Sequence, residues 1–331
     1  MDLDRRRAFR LSAAALAAPL FTPHVARAAT RKFRIGHNST PTSALQMASV
    51  TFQKYLAEKT DGRYEVSIAP DSQLGNDAQL VRAVADGTLD MTISATAILG
   101  SFHPDLELAE IPFLFKDAAS ARKALTGDLG AYYTEVLAKS SLAVIGWGEN
   151  GFRHVTANKP VRNLADLKGL KIRVQPAKIQ VESFVGMGAV ASALSFTELP
   201  EALRTGRFEA QENPLSILTT NEFITKYQSH VSLTGHVYSP FAVSFSGDVL
   251  EELPAADRAV VRAGGALAAQ TTLDFSDIAV ATGLEKLKAM GMTVVTDVDR
   301  KAFQAAMEGL GTRLSAVAGA GSIARVRGLV A

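Results

Sequence analysis

Lys168-Gly169-Leu170-Lys171-Ile172-Arg173-Val174 is the stretch that decides the fold. Gly169 supplies a turn. Leu170, Ile172 and Val174 then alternate with Lys171 and Arg173, the period of a strand with one buried face. The other face points to a cleft or to water. Gln175-Pro176 follow directly, so Arg173 lies where the strand ends. In open α/β sheets, ligands bind beyond the carboxyl ends of the strands. A guanidinium there is a planar fork that can hold a carboxylate by two parallel hydrogen bonds. This spacing predicts that Arg173 anchors an anion-binding cleft.

The chain on either side is read as what builds that cleft. Alternating strands are expected over 32–36, 64–68 and 89–93, with amphipathic helices over 43–60 and 76–86 between them. Strands separated by helices imply parallel pairing through right-handed crossovers. A buried turn is expected at 110–115, where Pro112 argues against a central strand. Helix follows over 118–140, broken near Gly127 and Gly130. A strand at 142–147 leads into Gly148-Glu149-Asn150-Gly151, read as the crossing to a second domain that begins at Phe152.

In that second domain a helix is expected over 178–187 and a strand over 208–211, with Glu212-Asn213-Pro214 at its carboxyl end. Two extended pieces flank Gly235-His236 within 229–246. Residues 254–290 carry the longest helical pattern. At 1.5 Å per residue it could span both domains, and Gly264-Gly265 and Gly283 are places for it to bend. A strand at 293–296 and a helix over 300–317 follow. The tail from Ala318 has no readable pattern.

The 331 residues, 47% hydrophobic, suffice for two domain-sized cores. There is no cysteine, so disulfides and thiol chemistry are excluded. Arg5-Arg6-Arg7-Ala8-Phe9, an apolar run over 11–20 and Ala26-Arg27-Ala28 have the order of a cleaved secretory signal, residues 1–28. Its Arg-Arg-x-Phe core looks like the twin-arginine type. A run of about 10 apolar residues is too short to cross a ~30 Å membrane core. Residues 1–28 hold five of the 35 basic and two of the 33 acidic residues, which leaves 30 against 31. That balance gives no basis for a nucleic-acid or membrane-surface partner.

Enzyme signatures are missing. The sequence has no His-Glu-x-x-His, Gly-x-Ser-x-Gly or Gly-Lys-Ser/Thr phosphate cradle. Gly186-Met187-Gly188 follows a helical pattern, and Gly319-Ala320-Gly321 stands too near the end to open a βαβ unit. The six histidines have no metal-ligand spacing. Neither a metal nor a cofactor is expected, although backbone carbonyls could bind Na⁺ without any sequence signature.

Several segments recur in an order and spacing that resemble one family. They are Ser72-Gln73-Leu74-Gly75, Gly87-Thr88-Leu89-Asp90, Gly151-Phe152-Arg153, the 166–173 stretch ending in Lys171-Ile172-Arg173, Glu198-Leu199, Gln211-Glu212-Asn213-Pro214 and Thr234-Gly235-His236. Across residues 31–317 the chain resembles the periplasmic solute-binding subunits of tripartite ATP-independent periplasmic (TRAP) transporters, of the DctP type. The resemblance implies an α/β, two-lobed periplasmic-binding-protein fold, type II-like, with crossing strands and a long domain-spanning helix. Lobe I would comprise 29–149 with about 239–278, and lobe II 150–238 with about 279–331.

The resemblance also implies a small organic acid as ligand and membrane permease subunits as partners. A monomeric protein in the periplasm is expected. By the family's motifs Arg173 would pair with the ligand carboxylate. Arg153 and Asn213 would engage the same end, and Asn38 and Phe196 would line the cleft. Trp147, the only tryptophan, is read either as a stacking platform or as a hinge or core residue. Sialic-acid-binding members carry a glutamate after the third strand. The matching place here is near Ala95, which argues against sialic acid. A ligand sensor for a membrane receptor and a periplasmic enzyme are the alternatives from other classes.

Overall fold

The computed structural model describes residues 31–330. The expected signal segment, 1–28, lies outside the described residues. Nine strands among the described residues form one mixed sheet. They are β1 (Arg31–Gly36), β2 (Tyr64–Ala69), β3 (Met91–Ala95), β4 (Leu142–Ala157), β5 (Lys171–Val174), β6 (Val190–Ala193), β7 (Ala210–Pro214), β8 (His230–Ser246) and β9 (Thr293–Val295). Their order is β2-β1-β3-β8-β4-β7-β5-β6, with β9 beside β8. β1 runs parallel to β2 and β3, as strand–helix alternation predicts. β5 is parallel to β6 and β7.

β4 and β8, 16 and 17 residues long, are paired antiparallel and run through both lobes. β3 pairs with β8 at 241–245, while β9 pairs with it at 230–232. β7 pairs with β4 at 153–157. The β4–β8 register shifts at Val144/Gly146, Glu149/Gly151 and Arg153/Val155. Such bulges raise the local twist, so the two halves of the ribbon serve differently oriented groups of strands.

Residues 148–151, read as a crossing, are part of the β4 ladder with β8. Two expectations are corrected here. The two extended pieces within 229–246 are one strand. Glu212 and Asn213 lie inside β7, because β4 supplies ladder partners as far as Pro214. Local patterning could not show these long-range partners, which satisfy backbone groups that would otherwise end the strands.

The helix Ala255–Ala289 is continuous for 35 residues. Its glycines serve close approach. A Cβ on Gly265 would meet Ile145 Cγ1 at 2.4 Å, and one on Gly264 would press on Phe52 at 3.1 Å. On the strand beneath, a Cβ on Gly146 would stand 2.6 Å from the Gly265 carbonyl oxygen. The helix therefore lies directly on crossing strand β4. Thr272 Oγ1 fastens it there, accepting from the Glu149 backbone N–H at 3.0 Å. Arg122 joins the same junction through Glu149 at 2.7 Å and Asp277 at 2.6 Å.

Phe33 stacks on Tyr64 at 5.1 Å and meets Phe245 edge-on at 5.3 Å, in the core between the sheet and the helix Ala44–Lys59. At the other end, the helix expected over 300–317 is two helices, Arg300–Glu308 and Gly311–Ala318. The unpatterned tail forms a further helix, Ala320–Val330. It buries only Ile323 and Val326, too little to be read as a periodicity, and packs on the turn Pro104–Glu110 and the helix Asp128–Ala138.

Gly146→Ala should lower stability by about 1–3 kcal/mol through overpacking against the helix backbone. A Cβ on Gly311 meets nothing within 4 Å, so Gly311→Ala should stay within about 1 kcal/mol of the parent. Urea unfolding midpoints compare the two; equal midpoints would contradict the close-approach reading.

Candidate functional site

β5 buries Ile172 and Val174 completely and exposes Lys171. Arg173 shares the Lys171 face yet is only 1% exposed. Its Nε donates to the Leu194 carbonyl oxygen at 2.8 Å, which fixes the plane of the fork. The Phe196 ring lies 6.0 Å from the guanidinium carbon. Among the described residues the buried Nη1 has no hydrogen-bond partner and no carboxylate forms an ion pair with Arg173. Burial drags its pKa down to about 10, against the opposing pull of the Glu212 charge. A buried cation lacking a paired anion is a costly arrangement. An anion entering beside it would supply the missing partner.

Arg173 forms part of the wall of a cavity with Asn38, Asp77, Ala95, Phe196 and Asn213. The structure thus brings four of the six expected residues together: Arg173, Asn38, Asn213 and Phe196. It does not bring Arg153 or Trp147 to that wall. Arg153 is fully buried; Glu212 on the neighbouring strand β7 takes up two of its guanidinium nitrogens, while Nη1 is buried without a partner among the described residues. Nε and Nη2 grip the Glu212 carboxylate, Nη2 to Oε1 at 2.8 Å. Nη2 also donates to the Glu212 carbonyl oxygen at 2.7 Å and to Asn213 Oδ1 at 3.1 Å. Arg153 therefore positions Asn213 from behind. Trp147 packs toward the helix Asp128–Ala138, its Nε1 donating to Thr134 Oγ1 at 3.1 Å, with Tyr133 6.1 Å away.

The support behind Asn213 is electrostatically closed. Burial pushes the Glu212 carboxyl up, but the Arg153 charge and the bonds from His236 and Arg153 outweigh it and hold its pKa at about 2. Burial lowers the His236 pKa despite Glu212. His236 contacts Glu212 through Nε2 at 3.3 Å and Thr234 through Nδ1 at 2.8 Å, a satisfied structural histidine. Asn213 Nδ2 donates to Gln211 Oε1, and its second N–H is left for the cavity.

A second buried carboxyl sits nearby. Glu110 Oε1 accepts from Thr96 Oγ1 at 2.7 Å and from the Ala97 N–H at 3.3 Å. Its Oε2 accepts from Gln180 Nε2 at 3.1 Å, and Gln180 in turn bonds to the cavity residue Gln175. Desolvation raises the Glu110 pKa to about 7, although Arg153 and Thr96 oppose the shift.

Residues 35–315 match the family described as bacterial extracellular solute-binding protein, family 7 (DctP). The chain belongs to that family. It is 34% identical over 285 residues to the 2,3-diketo-L-gulonate-binding periplasmic protein of Escherichia coli, covering 84% of this chain and 85% of that one. Two solved structures are similar throughout. One is a TRAP periplasmic solute-binding protein from Polaromonas sp. JS666 bound to D-erythronate (32% identity, TM-score 0.85, 90% and 98% of the two chains). The other is a sugar-acid-binding protein from Advenella mimigardefordensis in complex with galactonate (28% identity, TM-score 0.87, 91% and 98%).

In this family 7 solute-binding protein, sequence reasoning missed Asp77, Ser94, Asn150 and Gln175 as cavity residues. A signal was present for two of them. Ser94 lies at the carboxyl end of β3 and Gln175 directly after β5, where ligands of α/β sheets gather. Asp77 was hidden because it also reads as the ordinary acidic first-turn residue of a capped helix.

The raised Glu110 pKa has a consequence for stability. Its folded value, about 7, exceeds the ordinary 4.5, so the folded chain holds an extra proton between those pH values. Stability from this group is full below about pH 4.5 and is lost as pH rises through 7. Glu110→Gln should remove that slope. The stability difference between parent and variant should change by on the order of 3 kcal/mol from pH 4.5 to 8. Urea unfolding at both ends of the range measures it; a constant difference would mean the carboxyl is not raised.

Proposed function

We propose that this protein is the extracytoplasmic receptor of a TRAP-type transporter and captures a small organic acid between its lobes. The observation that carries the reading is Arg173, a buried guanidinium whose Nη1 has no partner among the described residues, at the wall of a cavity it shares with Asn38, Phe196 and Asn213. The acid's carboxylate takes the Arg173 fork, and the free N–H of Asn213 reaches the same end. Phe196 and Asn38 flank the ligand. Arg153 acts through Asn213 and Glu212 as a positioning residue.

Two lobes, 29–149 with about 239–278 and 150–238 with about 279–331, close about β4 and β8 by a hinge motion. The helix Ala320–Val330 latches back onto elements of the first lobe. Closure excludes water, and the lower dielectric strengthens the Arg–carboxylate pair. The loaded monomer then docks on membrane permease subunits. Residues 1–28 direct export to the periplasm and are removed there. The ligand is retained unchanged, with neither a cofactor nor a metal, and the known ligands of its relatives, such as D-erythronate and galactonate, are themselves carboxylates.

Removing one partner of a buried, hydrogen-bonded charge pair costs about 2–5 kcal/mol. Arg173→Ala should therefore weaken binding of an organic acid by roughly 30-fold to several thousand-fold. Arg173→Lys should also bind poorly, because an ammonium cannot reproduce the planar fork. Titration calorimetry with an acid first found by thermal shift tests this. Undiminished affinity in Arg173→Ala would overturn the assignment.

A further inference from the structure

Beside the cavity that holds Arg173 lies a groove, and Pro176 lines both. One side of the groove carries Gly100 and Glu107, which follow β3; the other carries Ile179 and Glu182, which follow β5. Among the described residues these two strand groups meet in the sheet only through β4 and β8. A side-chain bond across the groove therefore joins parts that a hinge motion would separate.

Two such bonds start from one segment, Pro104–Glu110. Glu107 Oε2 accepts from the Ile179 backbone N–H at 3.1 Å. Ile179 stands in the first turn of the helix Lys178–Gly186, whose N-cap, Ala177, makes no side-chain capping bond. The helices that begin at Asp77, Ala118 and Leu164 are instead capped by their own Asn76, Asp117 and Asn163. Here the acceptor comes from 72 residues away in the sequence, and a carboxylate suits a helix N-terminus. Room is made for it, because a Cβ on Gly100 would collide with Glu107 Cγ. Burial pushes the Glu107 carboxyl up, while the Ile179 and Lys178 N–H groups oppose the shift.

The second bond lies deeper. Glu110 Oε2 accepts from Gln180 Nε2 at 3.1 Å. Gln180 Oε1 accepts from the Gln175 N–H at 3.2 Å, and Gln180 Nε2 also donates to Gln175 Oε1 at 3.2 Å. Gln175 and Pro176 are part of the cavity wall. The residue that reaches across the groove is thus the one that holds this piece of wall.

We infer that Glu107 and Glu110 are positioning residues for ligand capture: they form a clasp that grips the first turn of the helix Lys178–Gly186 when the cleft is shut, and so set how long a bound acid stays. The inference rests on the two-lobe closure proposed above and adds what holds the lobes together. A contact made only in the closed state slows release and leaves entry, which takes place through the open state, unchanged.

The test uses the mature chain with D-erythronate, D-galactonate and succinate as probes, and surface plasmon resonance for the entry and release rates. Opening is read from the distance between two spin labels. The chain has no cysteine, so Lys54→Cys and Arg207→Cys, both at exposed positions, put one label in each proposed lobe. Glu107→Ala should speed release about tenfold by loss of a charged acceptor, with the entry rate within about twofold of the parent. Glu107→Gln keeps a neutral acceptor and should recover part of the loss. With acid present, the labels should settle at one short distance in the parent and keep a longer component in Glu107→Ala. Gln180→Ala should act in the same direction. Glu182→Ala is the control: its carboxylate lines the same groove but pairs with Arg313 at 2.5 Å, and its loss should change neither reading. Thermal melts check that the variants are folded.

Release rates and label distances in folded Glu107→Ala equal to the parent's, with binding still lost in Arg173→Ala, overturn the clasp and leave the anchor standing. An effect of Glu182→Ala as large as that of Glu107→Ala also overturns the clasp. Faster release in Glu107→Ala, with Arg173→Ala binding like the parent, overturns the anchor and supports the clasp. If none of the three acids binds, the labels are compared without acid: a longer distance in Glu107→Ala supports the clasp, and identical distances overturn it.

Discussion

A guanidinium taken out of water loses hydration that only an anion or a full set of hydrogen bonds can replace. Among the described residues Arg173 has one such bond, from Nε to Leu194, and an Nη1 with no partner. That single bond orients the fork without satisfying it. The cost of keeping the charge in this state is carried by the surrounding sheet, which holds β5 between β6 and β7. The site is in effect half of an ion pair, built so that the other half arrives from outside.

The contrast with Arg153 shows how two similar residues acquire different tasks. Arg153 is equally buried, but Glu212 sits beside it and takes both Nε and Nη2. His236 contributes a further contact to the same carboxylate. The Arg153 charge is paired through these two nitrogens, while its Nη1 is buried without a partner among the described residues, and its contact with the cavity wall runs through Asn213 Oδ1. One arginine is left open for a ligand, while the other holds the scaffold around it. Glycines at the crossing allow the long helix to lie on β4, so the strands joining the lobes are backed by a rigid element over one part of their length.

Much of this was legible in the sequence. Alternation at 170–174 located β5 and put Arg173 on its cleft-facing side, and strand–helix alternation pointed to the parallel β1–β2–β3 group. What failed was non-local. Gly148 and Gly151 marked a crossing, but nothing nearby in sequence showed that they make room for Thr272 and Ser276. That Gly264 and Gly265 admit Phe52 and Ile145 likewise depends on partners far away in the chain. The Arg153–Glu212 pair joins residues 59 apart in sequence, and no spacing rule exposes it. Asp77 was missed as a cavity residue because an acid in the first turn of a helix is read as a partner of the helix dipole. Trp147 was ambiguous, since a strand residue beside a bulge can be read toward either face, and its indole goes to Thr134.

The central claim concerns where a carboxylate sits, and a structure of the protein crystallised with an acid that stabilises it against heat tests that most directly. The account predicts both carboxylate oxygens on the Arg173 fork at about 2.7–2.9 Å, with Asn213 donating to the same group. An acid bound elsewhere, with Arg173 Nη1 still unpartnered, would contradict it.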